Sequence, residues 1–461
     1  MGVVVQKYGG SSVATAERIR AVARRIAAAA AAGAGVVVVV SARGDTTDDL
    51  LALAAEVATE PHGRELDQLL ATGEAQSMAL LALALGDFGV RARSLSGGQA
   101  GIRTVGQWGR ARIDRVASGR LRATLARGEV AIVAGFQGVN GRRDVQTLGR
   151  GGSDTTAVAL AAALGATRCE IFTDVDGVYT ADPRLVPDAI RLDRIGYAAM
   201  AELAWRGAKV MHPRAIELGA LYGVTIAVRS SLDDGPGTLI GPDPATTNGP
   251  DATKTMGETM ERTGTLSGVV HDANVARVTI AGLPSGPATL ARIFGPLAGA
   301  EVSVDVIAES TTPDGRIDLG FTVSADELAA ALPIVEAVAA QLGGRVASQT
   351  GLAKVSLVGT GMLNRPGYAA RLFATFAEAE IPSLMVSTSE ISVTCVVPQE
   401  CAPRAVQRLH DTFRRDFVAA DAPAHAAAAS PSVVPVAAQA GATVSGTAEA
   451  GLDGLNGRGR L

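Results

Sequence analysis

Val3-Val4-Val5-Gln6-Lys7-Tyr8-Gly9-Gly10-Ser11-Ser12 opens with a β-branched run that stops at a pair of glycines. A helical stretch over residues 15–32 follows, and Val36-Val37-Val38-Val39-Val40 then returns as an unbroken apolar run. Consecutive valines leave no polar face for solvent, which predicts a strand buried on both sides. Strand, glycine turn, helix and buried strand is the sequence form of a parallel crossover unit. The pattern continues outward: 65–85 reads as an apolar helix, 130–136 as a strand, 155–164 as an Ala-rich helix, and 169–173 and 224–228 as strands. The first half is therefore expected to be α/β, with a mainly parallel sheet covered on both faces.

At 461 residues the chain exceeds what one hydrophobic core serves, so several domains are expected. Hydrophobic residues at 47% and charged residues at 19% are a globular composition. A net charge of −4 and 3% aromatic residues supply neither the basic face nor the stacking rings of a nucleic-acid partner, and none is expected. The longest uncharged run, 26–42, is broken by Gly33 and Gly35, so no membrane partner is expected either. The opening residues lack a secretory pattern, and Gln6 stands where myristoylation needs Ser or Thr. Cys169, Cys395 and Cys401 have no paired spacing and fit reduced thiols, so the expected location is cytoplasmic. The five histidines are scattered, and no protein-built metal site is expected. Lysine occurs only at Lys7, Lys209, Lys254 and Lys354; arginine carries the rest of the positive charge, so a retained lysine marks a place for a compact point charge.

Residues 1–240 form the expected α/β domain, and 241–263, rich in Gly, Pro, Asp and Thr, read as a linker. An internal repeat follows. Ala276-Arg277-Val278-Thr279-Ile280 matches Ala353-Lys354-Val355-Ser356-Leu357, Ala291-Arg292-Ile293-Phe294 matches Ala370-Arg371-Leu372-Phe373, and Ala300-Glu301-Val302 matches Ala379-Glu380-Ile381. Two α+β modules are expected, at 264–350 and 351–418, followed by a disordered tail over 419–461.

Two glycine-rich stretches carry chemistry. Lys7-Tyr8-Gly9-Gly10-Ser11-Ser12 lies between a strand and a helix, where free N–H groups favour an anion and Lys7 adds a full charge; it reads equally as a tight turn with an exposed lysine. In Thr147-Leu148-Gly149-Arg150-Gly151-Gly152-Ser153-Asp154-Thr155-Thr156, Ser153, Asp154 and Thr155 are each plausible helix caps. Three glycines and an arginine exceed what a cap needs and suggest a cradle for a carboxylate or phosphate, with Arg150 able to bind bidentately.

Lys7–Ser12 resembles the opening motif of the amino acid kinase family. Gly149–Thr156, the stretch Phe172-Thr173-Asp174-Val175-Asp176-Gly177-Val178-Tyr179-Thr180-Ala181-Asp182-Pro183-Arg184, and Ala208-Lys209-Val210-Met211-His212-Pro213-Arg214 are similar to its aspartate kinase branch. The tandem modules resemble the paired, ferredoxin-like ACT modules of those enzymes. The resemblance implies ATP-dependent phosphorylation of the L-aspartate β-carboxylate with Mg²⁺. It assigns Lys7 to the transferring phosphoryl group, Lys209 to nucleotide phosphates, and Asp154 to holding both ammonium groups. Tyr8, Gly9, Gly10, Ser41, Thr173, Asp174, Tyr179 and Arg184 fall on the nucleotide side. Thr47, Glu74, Arg150, Gly151, Gly152 and Ser153 fall on the aspartate side, Glu74 facing the ammonium and Arg150 the α-carboxylate. Read without the resemblance, Glu74 is a solvated helix residue and Thr47 a helix cap.

The catalytic half departs little from the family: Arg43, Ala75 and Gln107-Trp108-Gly109 replace its usual residues. The ACT pair departs more. Leu283-Pro284-Ser285-Gly286-Pro287-Ala288 lacks the Asp and Pro-Gly of the effector turn, and Ala308-Glu309 stands in place of Gln-Asn. Asn364-Arg365-Pro366-Gly367 keeps its Pro-Gly, whereas Pro382-Ser383 replaces Asn-Ile and removes an N–H that grips an effector. Inhibition by lysine plus threonine is accordingly expected to be weakened or absent. The resemblance also implies a homodimer or α2β2 assembly through the ACT modules, with Met256 and Met260 near where a shorter β subunit would start. The alternatives are a kinase of another carboxylate and a catalytically silent ACT-type amino-acid sensor.

Overall fold

A computed structural model of the chain describes residues 2–242, 266–360, 362 and 367–417. Most of the expected linker, Met256, Met260, Asn364, Arg365, Pro366 and the expected tail lie outside the described residues.

The chain runs from β1 (Val3–Tyr8) through α1 (Ala16–Ala31) to β2 (Gly35–Val40), α2 (Thr46–Val57) and α3 (Gly63–Gly86). Next come β3 (Ala92–Leu95), β4 (Ile102–Val105), β5 (Arg112–Val116), α4 (Gly119–Ala126) and β6 (Val130–Ala134). Then follow β7 (Gln137–Val139), β8 (Val145–Thr147), α5 (Gly152–Leu164), β9 (Arg168–Thr173), β10 (Val178–Tyr179), β11 (Arg191–Leu192) and β12 (Arg194–Gly196). The region closes with α6 (Tyr197–Trp205), α7 (Pro213–Tyr222), β13 (Ile226–Ser230) and β14 (Thr238–Gly241).

Eight of these strands form one sheet in the order β12-β14-β13-β9-β1-β2-β6-β3. All its pairings are parallel except β13 with β14. Every residue of β2 is buried, and each valine so covered contributes roughly 1.5–3 kcal/mol. One face packs on α5 and α7 through Val5, Val37, Val39, Val158 and Ile216, and the other on α1 and α3 through Ile26, Val38, Val40, Leu81 and Leu85. Helix α3 is long and apolar enough to cross a membrane by length and composition, but here its inner side packs on the sheet. From β1 the chain turns one way to β2 and later returns on the other side as β9. This reversal opens a crevice at the carboxyl ends of the strands, the usual place for a ligand in an open α/β sheet.

The remaining elements are β15 (Leu266–Pro284), α8 (Pro287–Gly299), β16 (Val304–Thr311), β17 (Arg316–Val323), α9 (Leu328–Leu342) and β18 (Arg345–Gly359), then α10 (Tyr368–Glu378), β19 (Met385–Thr388), β20 (Ser392–Pro398) and α11 (Ala402–Phe413). The sequence repeat has a structural counterpart: Glu301 and Glu380, at matched positions after α8 and α10, both adopt left-handed backbone, with φ of 59° and 53°. The expectation of two consecutive modules needs correction. All six strands form one sheet, β16-β17-β15-β18-β20-β19, and the 350/351 boundary falls inside continuous β18. Leu266 and Val269, at the start of β15, pack with Leu357, Phe376 and Phe413, whereas Val278 and Ile280 further along pack with Phe321 and Val335. The second module thus takes its first strand segment from before the first, because β15 and β18 are long enough to serve both cores.

Candidate active site

The loops leaving β1, β2, β6 and β9 are laced together at the crevice. Ser41 N–H donates to Tyr8 O (3.1 Å), Gly44 N–H to Gly10 O (3.1 Å), Gly135 N–H to Val40 O (3.0 Å) and Gly9 N–H to Phe172 O (3.3 Å). A Cβ at Gly10 would stand 2.8 Å from Ala42 O, so only glycine permits this approach. Lys7, at the end of β1, meets Asp154 Oδ1 at 2.7 Å, with both side chains 12% exposed. Tyr8 corrects the expectation for it: its ring is fully buried and stacked on Phe172 (centroids 4.8 Å apart), so only its backbone belongs to the turn. Burial pushes its phenol pKa well above the usual range. The side chain turns inward because the residue beside it, Lys7, takes the ligand side.

None of Ser153, Asp154 and Thr155 caps α5. The N-cap is Gly151, in left-handed backbone with φ of 69°. A side chain there is excluded, since a Cβ would lie 2.1 Å from His212 Cβ. Gly152 N–H is satisfied by Gly149 O (3.0 Å), with Gly149 also left-handed. With no side-chain cap, the first turn of α5 keeps its anion-binding character directed at the crevice. Ser153 and Asp154 are buried in that turn, and Arg150 is exposed with no ion pair among the described residues. Burial, with Arg214 beside it, holds the His212 imidazole below the usual histidine range. Arg214 donates to Leu148 O (2.7 Å) and Ala111 O (3.2 Å), fixing α7 against this loop.

Glu74 is not solvated. On α3 it is 3% exposed, its Oε1 accepts Ala42 N–H at 3.1 Å, and its Oε2 is buried without a partner among the described residues. Burial pushes its pKa up to about 7. An orphaned carboxylate oxygen of this kind is costly by itself and is relieved by a proton or by a hydrogen-bond donor. Thr47 is half-buried inside the first turn of α2, whose N-cap is Asp45, so it does not cap the helix. The sequence reading missed Asp67, two turns before Glu74 on the same helix. Its carboxylate accepts Thr147 N–H (2.7 Å), Thr147 O–H (2.9 Å) and Gly109 N–H (3.1 Å), clamping the strand that leads to Gly149. Two acidic residues two turns apart on one side of an apolar helix were the available signal.

On the other side of β1, Thr173 O–H donates to Asp174 at 3.0 Å and Tyr179 O–H to Asp176 at 2.9 Å. Arg184 pairs with Asp182 at 2.7 Å and also feels the charge of Asp174. Lys209 corrects a second expectation. It is exposed and makes no ion pair among the described residues, so Asp154 holds Lys7 alone. Lys209 lies on the turn after α6, where Gly207 packs so closely on β15 that a Cβ would meet His271 O at 2.1 Å. Its charge, with those of Asp182 and Arg184, acts on His271, so Lys209 and Arg184 do share a neighbourhood.

A glycine turn at the carboxyl edge of a parallel sheet, charged by Lys7 and joined through Ala42 to the buried Glu74 carboxylate, has the form expected of a phosphotransferase site. The amino acid kinase family profile matches residues 2–230 and an ACT domain profile matches 355–413. The aspartokinase of Mycolicibacterium smegmatis is 46% identical over 417 residues, covering 90% of this chain and 96% of that protein. That of Bacillus sp. strain MGA3 is 44% identical, covering 90% and 97%. The structure of E. coli aspartokinase III with aspartate and ADP superposes with a TM-score of 0.74 at 28% identity, over 89% of this chain and all of that one. The same enzyme with lysine and aspartate gives 0.64 over 89% of this chain and 99% of that one. The chain belongs to the aspartokinase family, and it is a phosphotransferase with a carboxyl group as acceptor.

Proposed function

We propose that the crevice transfers the γ-phosphoryl group of ATP to the β-carboxylate of L-aspartate, giving 4-phospho-L-aspartate, and that the named residues divide the work as follows. The single observation that carries the reading is the pairing of opposites around Ala42. Beside its carbonyl, the Gly9-Gly10 turn and Lys7 favour phosphate; beside its N–H, Glu74 leaves one buried oxygen for an ammonium. Arg150 and the uncapped start of α5, including Gly151, Gly152 and Ser153, suit the α-carboxylate, and Thr47, half-buried in the first turn of α2, is assigned to the aspartate side. The acceptor carboxylate is already ionised at neutral pH, so no general base is needed. Catalysis then rests on alignment and on neutralising charge, with Lys7 held by Asp154 at the transferring group.

Ser41, Thr173, Asp174, Tyr179, Arg184 and Lys209 serve the nucleotide. Among the described residues no cluster of three or more His, Cys, Asp or Glu could cage a metal. Mg²⁺ would enter with the nucleotide phosphates and neutralise their charge, and the exposed Asp174 would be a suitable oxygen ligand for it.

Lysine and threonine inhibition is weakened or absent. In the first module, Arg316 Nε already donates to Gly282 O (2.6 Å) and another guanidinium N–H reaches Gly343 O (3.3 Å), engaging carbonyls beside the effector turn. The protein works in the cytoplasm as a homodimer or α2β2 assembly joined through its ACT modules. Aspartate-dependent hydroxamate formed from ATP, Mg²⁺ and hydroxylamine tests the reaction, with Lys7→Ala as control; no product from folded, nucleotide-binding protein would overturn it. Repeating the assay with both amino acids tests the regulation, and strong inhibition there would refute its loss.

A further inference from the structure

The segment carrying Asp174 and Tyr179 ends at Thr180, which is fully buried and tied on every polar atom. Its N–H donates to Ile190 O (2.9 Å), its hydroxyl accepts Ile190 N–H (2.9 Å), and its carbonyl accepts Val269 N–H (2.8 Å). The hydroxyl oxygen also lies 2.9 Å from Nε2 of His410, a fully buried residue of α11 whose ring stacks on Phe417. Beyond Thr180, Ala181 and Val186 enter the core of the second ACT module with Leu266, Val269 and Phe413. Gln407 of α11 donates to Leu185 O (2.8 Å), and Arg414 pairs with Asp188. One end of the nucleotide segment is therefore built into the regulatory sheet.

The proton count fixes the sense of the central bond. Thr180 Oγ1 already accepts Ile190 N–H, and His410 Nδ1 has no partner among the described residues. If Nε2 carried the proton, the threonine hydroxyl hydrogen and Nδ1 would both go unsatisfied. With the hydroxyl donating to Nε2, only Nδ1–H remains. Burial, which holds His410 below the usual histidine range, favours this neutral form.

We propose that His410 is a positioning residue for the nucleotide: from the regulatory module it accepts the Thr180 hydroxyl proton and so fixes the segment presenting Asp174 and Tyr179. The inference rests on reading that segment as a nucleotide contact. Its test uses the full chain, with Mg·ADP affinity by calorimetry and separate KM values for ATP and aspartate. His410→Phe keeps the ring packing and loses the acceptor; Thr180→Val loses the donor; His410→Gln places an amide oxygen near the Nε2 position. Expected is a weakening of ADP binding and a rise in ATP KM of about 3- to 10-fold in the first two, the value of one buried hydrogen bond. The aspartate KM stays within about twofold, the His410→Gln variant recovers, and Thr180→Val/His410→Phe is no worse than either single change. Should His410→Phe fail to fold, Thr180→Val decides. Variants that melt earlier yet bind ADP normally, or a Gln variant as weak as Phe, would overturn the proposal. Asp174→Ala separates the two levels. If it weakens ADP binding while the Thr180 and His410 variants do not, this inference alone falls; if none of them does, the nucleotide reading falls with it.

Discussion

Lys7 and Lys354 have similar burial, with side chains 12% and 11% exposed, and each meets an aspartate, at 2.7 and 2.8 Å. Around Lys354 the charges close on themselves. Asp305 also takes Arg206 (3.4 Å), Asp272 stands 3.8 Å from the ammonium, and Arg206 returns to Glu202 (2.8 Å), binding α6 to the regulatory sheet. Lys7 pairs with Asp154 alone among the described residues, beside a glycine turn and across Ala42 from Glu74, whose Oε2 lacks a partner among those residues. On the proposed function the same ion pair is a structural tie in one region and the edge of an anion site in the other, and the surroundings decide which.

The largest expected effect breaks the comparison if it fails. Lys7→Ala should lower kcat by about 10³-fold, the scale on which a cation at the transferring phosphoryl group acts, with little change in melting temperature. A comparable loss in Lys354→Met would erase the distinction between the two lysines. Next, Glu74→Gln should raise the aspartate KM about 10- to 100-fold while leaving the ATP KM near its normal value, since a charge-assisted bond to the acceptor's ammonium is lost. Steady-state kinetics with both substrates varied reads this directly.

Glu74 also gives a pH test with a definite sign. Burial raises its pKa from 4.5 to about 7, so between these values the unfolded chain is ionised while the folded site holds the proton. This one group therefore makes the ligand-free protein less stable as pH rises from 4.5 to 7, by on the order of 3 kcal/mol. Chemical denaturation should show that dependence reduced in Glu74→Gln. Aspartate needs the ionised form, so its binding near pH 7 should release a proton, detectable by calorimetry in buffers of different ionisation enthalpy. The smallest effect belongs to Lys354→Met, expected to lower the melting temperature by about 2–4 °C with kcat within about twofold.

The sheet of the catalytic half was legible because Val36–Val40 has no alternative to burial, and the close strand-to-helix turn at Gly9-Gly10 because glycine pairs at a strand end are a local signal. Glu74 was less so: a lone glutamate looks the same whether solvated or buried, and only the packing of α3 on Ala42 decides. The Gly151 cap was hidden behind three better capping residues, since the reason for it, His212, is the N-cap of α7, about 60 residues further along the chain. Lys209 kept its motif but not its expected partner, because the turn that carries it rests on β15. The modular boundary was misplaced for a related reason. A repeat in sequence marks similar units, yet it does not record which strand is shared.

That shared strand has a mechanical consequence. At 19 residues β15 is about 60 Å long, and it pairs along most of its length with β18. A beam common to both cores leaves no seam at which one could open while the other stayed shut. Amide exchange along β15 and β18 should therefore occur as one cooperative block, and a disturbance entering at either end is carried as twist of the whole sheet rather than as a hinge motion.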